Sequence, residues 1–365
     1  MAIKTEPQYL NMGPQHPATH GVFRMMLELD GERVLKCQPH LGYLHRGLEK
    51  LAESRTYPQV ISLTDRLHYA NAFQNELVYC LAVEKIGNID VPRRAQYIRV
   101  MLAELSRIQN HMIFFGALGM DLGALTPFFY SFKDREVILD FFEEITGQRM
   151  TFNYLRIGGL KEDLPLGILD KIRLFSEKIP AIVDEYDKLL SGNEIFLSRM
   201  KGISILSKEL AINLGITGPI LRSTGITYDI RKADPYSSYE EFDFDIPVGE
   251  NGDNLDRYNL RLAEIREANK IVRQVLEKIS EGEVRTKIPK VLKIEGEGYF
   301  RIESSVGELG VYIIGDGSTS PYRIKFRSPA FVNLQMLQYV VPGLLVSDVI
   351  ATFSTVDICM GEVDR

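Results

Sequence analysis

Cysteine is scarce in this 365-residue sequence: Cys37, Cys80 and Cys359 lie far apart, with no CxxC pair. That spacing supports neither a disulfide framework nor a self-contained zinc or iron–sulfur site, and it suits a reducing compartment. An excess of positive charge is also missing. The formal net charge is -6 and the pI near 5.7, which removes the broad electrostatic basis for binding nucleic acid or an anionic membrane surface. The opening MAIKTEPQYLNMG has neither the apolar core of a signal peptide nor the Arg/Ser-rich look of a transit peptide, so export is not expected. Long unbroken hydrophobic runs are lacking too. Ile108 to Phe132 carries Asp121 as a lone acid, but Gln109, Asn110, His111, Pro127 and three glycines interrupt it. Ser328 to Ser347 is broken by Pro329, Asn333, Gln335, Gln338 and Pro342. Both read as interior wall in preference to a membrane span.

What is present is a large apolar fraction, 45% of residues, enough to bury a substantial core in one large domain or two interlocked ones. Apolar and polar residues alternate between about positions 20 and 36 (Val22, Met25, Leu27, Leu29, Val34) around Asp30-Gly31, which predicts a β-hairpin. From Thr64 the period changes to that of a helix, with Leu67, Ala70, Phe73, Leu77 and Leu81 on one stripe. A second stripe after Pro92 runs through Ile98, Leu102, Leu105, Ile108 and Met112, and helical patterns return at Asp134 to Ile145, Leu166 to Leu190 and Asp256 to Ile279. Ser223 to Asn254, rich in Gly, Asp, Tyr and Pro, reads as a long ordered loop or partner-binding surface. Tyr299 to Arg327 alternates again as a β meander. The expected fold is therefore α+β and mainly helical: an N-terminal β region over 1–60, a helical bundle over 61–285, and a C-terminal meander and tail over 286–365.

All six histidines, His16, His20, His40, His45, His68 and His111, fall in the first third. Pro17 keeps His16 and His20 from stacking on one helix face, which argues against a metal pair. His16, His40, His45 and His111 read as hydrogen-bonded loop or core residues. Thr64-Asp65-Arg66-Leu67-His68-Tyr69 reads as a helix start in which Thr64 or Asp65 caps and Arg66 and Tyr69 share a face.

Eight segments in order give these patterns a family. They are GPQHPATHG (Gly13 to Gly21), PHLGYLHRGLEK (Pro39 to Lys50), ESRTY (Glu53 to Tyr57), TDRLHY (Thr64 to Tyr69), DLGALTPFFYSFKDRE (Asp121 to Glu136), RIGGLKEDLP (Arg156 to Pro165), TGPILRSTGITYDIRKADPYSSYE (Thr217 to Glu240) and MGEVDR (Met360 to Arg365). Together they resemble the 49-kilodalton-type subunit of proton-pumping NADH:quinone oxidoreductase, a relative of the nickel–iron hydrogenase large subunit, so the resemblance implies a hydrogenase-like helical bundle.

It further implies a quinone headgroup, of menaquinone or ubiquinone, held between His20 and Tyr69, with Asp121 holding the histidine. Quinone reduction takes two electrons and two protons, so each carbonyl needs a donor that first hydrogen-bonds and then protonates. Phenol, near pKa 10, and imidazole, near 6.5, are both suited to that. Arg46 and Arg66 match arginines beside a terminal iron–sulfur cluster carried by a neighbouring subunit. Hydrogenase relatives have metal-binding cysteines where this chain has His68, Asn71, Cys359 and Glu362, so a resident metal is not expected: one thiolate cannot replace four. His68 replaces the family's usual aspartate before the key tyrosine, which adds a titratable group beside the headgroup. Thr151 replaces a common histidine. The implied partners are the terminal iron–sulfur cluster subunit, the 30-kilodalton-type subunit, the two-cluster ferredoxin-like subunit and a membrane subunit, with no nucleic acid. The implied location is peripheral, on the cytoplasmic face of the bacterial inner membrane. Two rivals share the motifs: the same subunit in a ferredoxin- or deazaflavin-dependent quinone or phenazine oxidoreductase, and a non-catalytic scaffold.

Overall fold

A computed structural model describes residues 6–365. The chain is 52% helix and 15% strand, a mainly helical α+β protein as the periodicities predict. Its first elements are β1 (Gln8–Met12), β2 (Arg24–Asp30) and β3 (Arg33–His40), an antiparallel sheet in the order β1-β2-β3. The β2–β3 hairpin turns at Gly31, whose φ of 61° lies in the left-handed region open to glycine. Pairing steps from Glu28↔Lys36 to Leu29↔Val34, so Leu35 bulges out and is half exposed.

Short helices α1 (Leu48–Glu53) and α2 (Tyr57–Thr64) lead into α3 (Ala72–Gly87), α4 (Arg93–Asp121) and α5 (Leu125–Thr146). A small ribbon of β4 (Leu155–Arg156) and β5 (Gly159–Leu160) follows, then α6 (Ile168–Ser176), α7 (Ile179–Leu190), α8 (Glu194–Met200), α9 (Lys208–Asn213), α10 (Gly218–Ser223), α11 (Ile230–Ala233) and the long α12 (Asn254–Lys278). The meander is β6 (Glu295–Ser304), β7 (Gly307–Asp316) and β8 (Arg323–Arg327), antiparallel in that order. The tail carries α13 (Pro329–Asn333), α14 (Leu337–Val340), α15 (Val346–Val356) and α16 (Met360–Asp364).

Two apolar cores form. The larger gathers α2 to α7, α12 and the meander; the smaller lies between the N-terminal sheet, residues 206–221 and the tail. At 29 residues α4 runs about 43 Å and packs on α3, α5, α12 and α15, so it is buried on nearly every side. The apolar stretch from Ile108 spans the end of α4 and the start of α5, broken at Leu122–Ala124. Glycine sets that approach: a Cβ on Gly119 would sit 2.9 Å from Pro127 Cβ. Among the described residues no helix is long and apolar enough to cross a membrane.

Three readings of the sequence are corrected. Thr64 to Tyr69 is not a helix start: α2 ends at Thr64, Asp65 is its C-cap, and Tyr69 to Asn71 form a single 3-10 turn before α3. Leu67 and Ala70 are buried all the same, which is why they completed a helical stripe without lying on a helix. Thr56 and Gln59 form the capping box that starts α2. Leu166 to Leu190 divides into α6 and α7 just before Pro180. The 223–254 segment is irregular, yet Asp229, Arg231, Tyr236, Tyr239, Phe242 and Phe244 are all buried, so much of it faces inward.

That inward face meets a buried ionic cluster. Arg222 donates to Glu264 at 2.6 Å and Glu303 at 2.7 Å, Arg231 to Asp229 at 2.6 Å and Glu104 at 3.0 Å, and Arg107 to Glu104 at 3.1 Å. Every one of these side chains is at most 2% exposed.

Candidate functional site

A cavity of about 670 Å³ opens where the loop before β2, the α2–α3 connection, the end of α4, the start of α5 and the tail converge. Its walls are mostly apolar, from Ile113, Phe114, Met120, Phe128 and Phe132, and its polar groups are few, chiefly His20, His68, Tyr69, Asn110, Thr151, Ser354 and Asp357, with Arg46 and Arg66 also lining it.

His20 sits in the loop after the single 3-10 turn at Pro17–Thr19, with φ 48°. Its Nε2 lies 2.6 Å from Asp121 Oδ2, at the last residue of α4. The same carboxylate oxygen accepts from the Ser354 hydroxyl of α15, and Phe353 packs on the His20 ring at 5.6 Å. Asp121 is therefore buried and bonded from two sides, which explains how a lone acid is tolerated in an apolar wall.

Tyr69 is 48% exposed, but on a concave wall, so solvent reaches the ring while protein surrounds it. Desolvation first, then Cys359 and Asp357, push its phenol above the ordinary range, with Arg135 acting the other way. Its hydroxyl makes no hydrogen bond within the described chain.

His68, expected to add a titratable group, lines the cavity but is uncharged at neutral pH. It is 4% exposed, neither ring nitrogen has a partner, and burial depresses its pKa to about 4, against a weaker pull upward from Asp357. An unfolded imidazole begins to protonate near 6.5. The stability conferred by the neutral buried ring is thus complete above about pH 6.5 and is lost as pH falls from there toward 4, a contribution of about 3 kcal/mol. His68→Gln is expected to flatten that acid limb in the melting temperature of the assembled protein, measured from pH 7 to 4.5; a limb equal to the wild type's rules His68 out as its source.

Of the other positions where the resemblance puts hydrogenase metal ligands, one lines the cavity and two turn inward. Cys359 lines the cavity, its thiol donating to Leu67 O at 3.6 Å and pushed to about 11 by burial. Asn71 turns inward to Ser305 Oγ at 2.6 Å. Glu362 is buried among Ser328, Ala330, Arg365 and Arg327, and burial pushes it to about 8. Among the described residues no group of three or more His, Cys, Asp or Glu could hold a metal ion.

Arg46 donates to Arg66 O at 2.6 Å and Gly361 O at 3.2 Å, and Arg66 to Ser62 O at 2.5 Å. Both guanidinium groups hydrogen-bond to backbone oxygens, and Arg66 also faces the Asp65 carboxyl, so the cavity's flank is lined by positive charge. Of the histidines read as bland, His45 bonds Asp364 O at 2.7 Å and His111 bonds buried Glu264 at 2.9 Å.

Sequence reasoning missed Asp357. It caps α15 in the left-handed region, φ 58°, held by Asn110 Nδ2 at 2.9 Å and Arg261 Nε at 3.7 Å. Its position two residues before Cys359 was the available signal.

Comparison with known proteins gives this geometry its family. The family model described as "Respiratory-chain NADH dehydrogenase, 49 Kd subunit" matches residues 121–295 and 290–365. Proteins named as the D subunit of NADH-quinone oxidoreductase are similar throughout: that of Desulforamulus reducens is 51% identical over 365 residues, covering 100% of both chains. The one from Thermus thermophilus is 47% identical over 389 residues, covering 100% of this chain and 95% of its own. The chain belongs to the 49-kilodalton subunit family. Five of the eight motifs line this cavity: the first supplies His20, the second Arg46, the fourth His68 and Tyr69, the fifth Phe128 and Phe132, and the last Met360 and Gly361, while Asp121 of the fifth reaches it through its bond to His20.

Proposed function

We propose that this chain, as a subunit of NADH-quinone oxidoreductase, forms the pocket in which quinone is reduced. The carrying observation is the apolar cavity of about 670 Å³ with the Asp121-bonded His20 on its wall and the unpartnered Tyr69 phenol facing into it. Relatives named as the D subunit of that enzyme extend over the whole chain, and the other subunits of the complex are accordingly its partners.

In this reading the apolar walls take the quinone ring and the first part of its tail. The Tyr69 phenol donates to one carbonyl and His20 to the other. Donation to both Asp121 and the quinone requires a doubly protonated ring: Asp121 accepts from Nε2 of the imidazolium, Nδ1–H faces the quinone, and the phenol and the imidazolium supply the protons as electrons arrive. Those electrons come from an iron–sulfur cluster of a neighbouring subunit, whose negative charge complements Arg46 and Arg66. The subunit sits peripherally at the cytoplasmic face of the membrane. His68, neutral at physiological pH, acts as a polar wall and not as a proton source.

Asp121→Asn tests the pocket. The amide oxygen can still accept from both Ser354 and His20, since both bonds fall on one oxygen, but it carries no charge to steady the imidazole. In the assembled complex quinone reduction is expected to fall about tenfold, with NADH oxidation by an artificial acceptor unchanged. Undiminished quinone reduction overturns the assignment.

A further inference from the structure

Behind the cavity wall, two buried carboxyl groups hold one short stretch of backbone. Asp65, the C-cap of α2, accepts the Asn153 N–H at 2.9 Å. Glu76 of α3 accepts the Tyr154 N–H at 3.1 Å and the Leu155 N–H at 2.6 Å through one oxygen. Both side chains are 0% exposed. Three successive amides are thus bonded by two acids.

The backbone they hold is strained. Thr151 has φ 58° and Asn153 φ 44°, and a β-branched residue in the left-handed region costs energy and persists only where its surroundings over-determine it. Phe152 between them is clamped, stacked on Phe73 at 4.2 Å and edge-on to Phe142 at 4.9 Å. Thr151 itself lines the cavity. Asp65 begins the connection that carries His68 and Tyr69, so the pair touches both segments that shape this side of the site.

One atom is unaccounted for. Asp65 Oδ1 is buried with no other donor, and the Asp65 side chain is hydrogen-bonded to the Glu76 carboxyl. Two carboxylates side by side in a dry site repel; with one proton between them, Glu76 donates to Asp65 and the orphan oxygen is satisfied. The cations nearby do not replace that proton. Arg66 and Arg156 face Asp65, while Arg99, committed to Glu84 at 2.7 Å, and Cys80 face Glu76 from α4 and α3.

We propose that Asp65 and Glu76 share one proton and act as a positioning pair, fixing the 151–155 segment and with it Thr151 on the cavity wall, so that loss of that proton at alkaline pH loosens this side of the site. The inference rests on the reading of the cavity as the quinone pocket for its effect on turnover, but not for its structural content. Burial, and for Glu76 the neighbouring Asp65, raise both acids above their ordinary range. The contact of two buried carboxyls holds the shared proton, and that proton is given up only as pH rises through the raised range.

Glu76→Gln fixes the protonated form permanently, since its amide oxygen accepts the Tyr154 and Leu155 N–H groups and its NH2 donates to Asp65. Asp65→Asn does the same from the other side and serves if the first variant assembles poorly. Amide hydrogen exchange of the peptide containing Asn153 to Leu155, followed in the assembled complex from pH 7 to 10, is the primary readout. In the wild type, exchange should climb more steeply than the roughly tenfold per pH unit set by hydroxide catalysis, while either variant follows that slope, for about fivefold greater protection at the alkaline end. Quinone reduction should lose its alkaline limb in the same variants. Parallel exchange in wild type and variants overturns the proposal. A difference in exchange with no difference in quinone turnover upholds the brace and counts instead against the pocket assignment, so the two failures are separable.

Discussion

Membranes carrying Tyr69→Phe are expected to oxidise NADH with an artificial acceptor at the wild-type rate while losing about a hundredfold in quinone reduction. The substitution is clean because the hydroxyl holds nothing within the described chain and the ring, half exposed on the wall, keeps its packing. Stability should stay within about 0.5 kcal/mol of wild type. What is lost is a donor whose pKa, raised by desolvation and by Cys359 and Asp357, keeps its proton until a reduced, strongly basic quinone oxygen needs it. Quinone reduction at the wild-type rate sinks the proposed role and favours the scaffold reading.

Glu264→Ala should have the largest effect on folding. Glu264 is 1% exposed and accepts from Arg222 Nε and Nη2, at 3.1 and 2.6 Å, and from His111 at 2.9 Å. Burial alone would raise its carboxyl, but Arg222, His111 and Arg107 hold it well below the ordinary range. Removing it leaves Arg222 leaning on Glu303 and Asp229 and strands positive charge in a dry interior, at a cost of about 3–5 kcal/mol. Against a typical total of about 5–15 kcal/mol, little assembled protein should survive at 37 °C. Glu264→Gln, which keeps an acceptor for Arg222, should be milder. Recovery of the Ala variant with a melting temperature within a few degrees of wild type argues that the cluster tolerates an uncompensated cation.

How far the sequence revealed these features depended on distance along the chain. The β2–β3 hairpin and the long α4 were legible because alternation at Met25, Leu27 and Leu29, and the stripe from Ile98 to Met112, act locally. The break between α2 and α3 was not, because Leu67 and Ala70 are buried by tertiary packing at the spacing a helix would give. The inward face of the 223–254 segment was hidden for the converse reason: Gly, Asp and Pro mark irregular backbone but say nothing of whether its tyrosines point in or out. The site shows the same limit. His20 meets Asp121 across 101 positions, and no periodicity encodes that; the motif resemblance supplied it. Asp357, Ser354 and the Asp65–Glu76 pair lay outside that resemblance's assigned residues and emerged only from geometry.

The tail has a consequence for how the protein is made. Asp364 accepts the Gly42 N–H at 2.8 Å and the Leu44 N–H at 2.7 Å, closing contacts across 322 and 320 positions. The loop that carries Arg46 thus waits, during synthesis on the ribosome, for residues more than three hundred codons downstream. Contacts so distant fold slowly and leave apolar surface uncovered meanwhile, so a nascent chain lacking its tail exposes the cavity's apolar walls and becomes a natural client for chaperones.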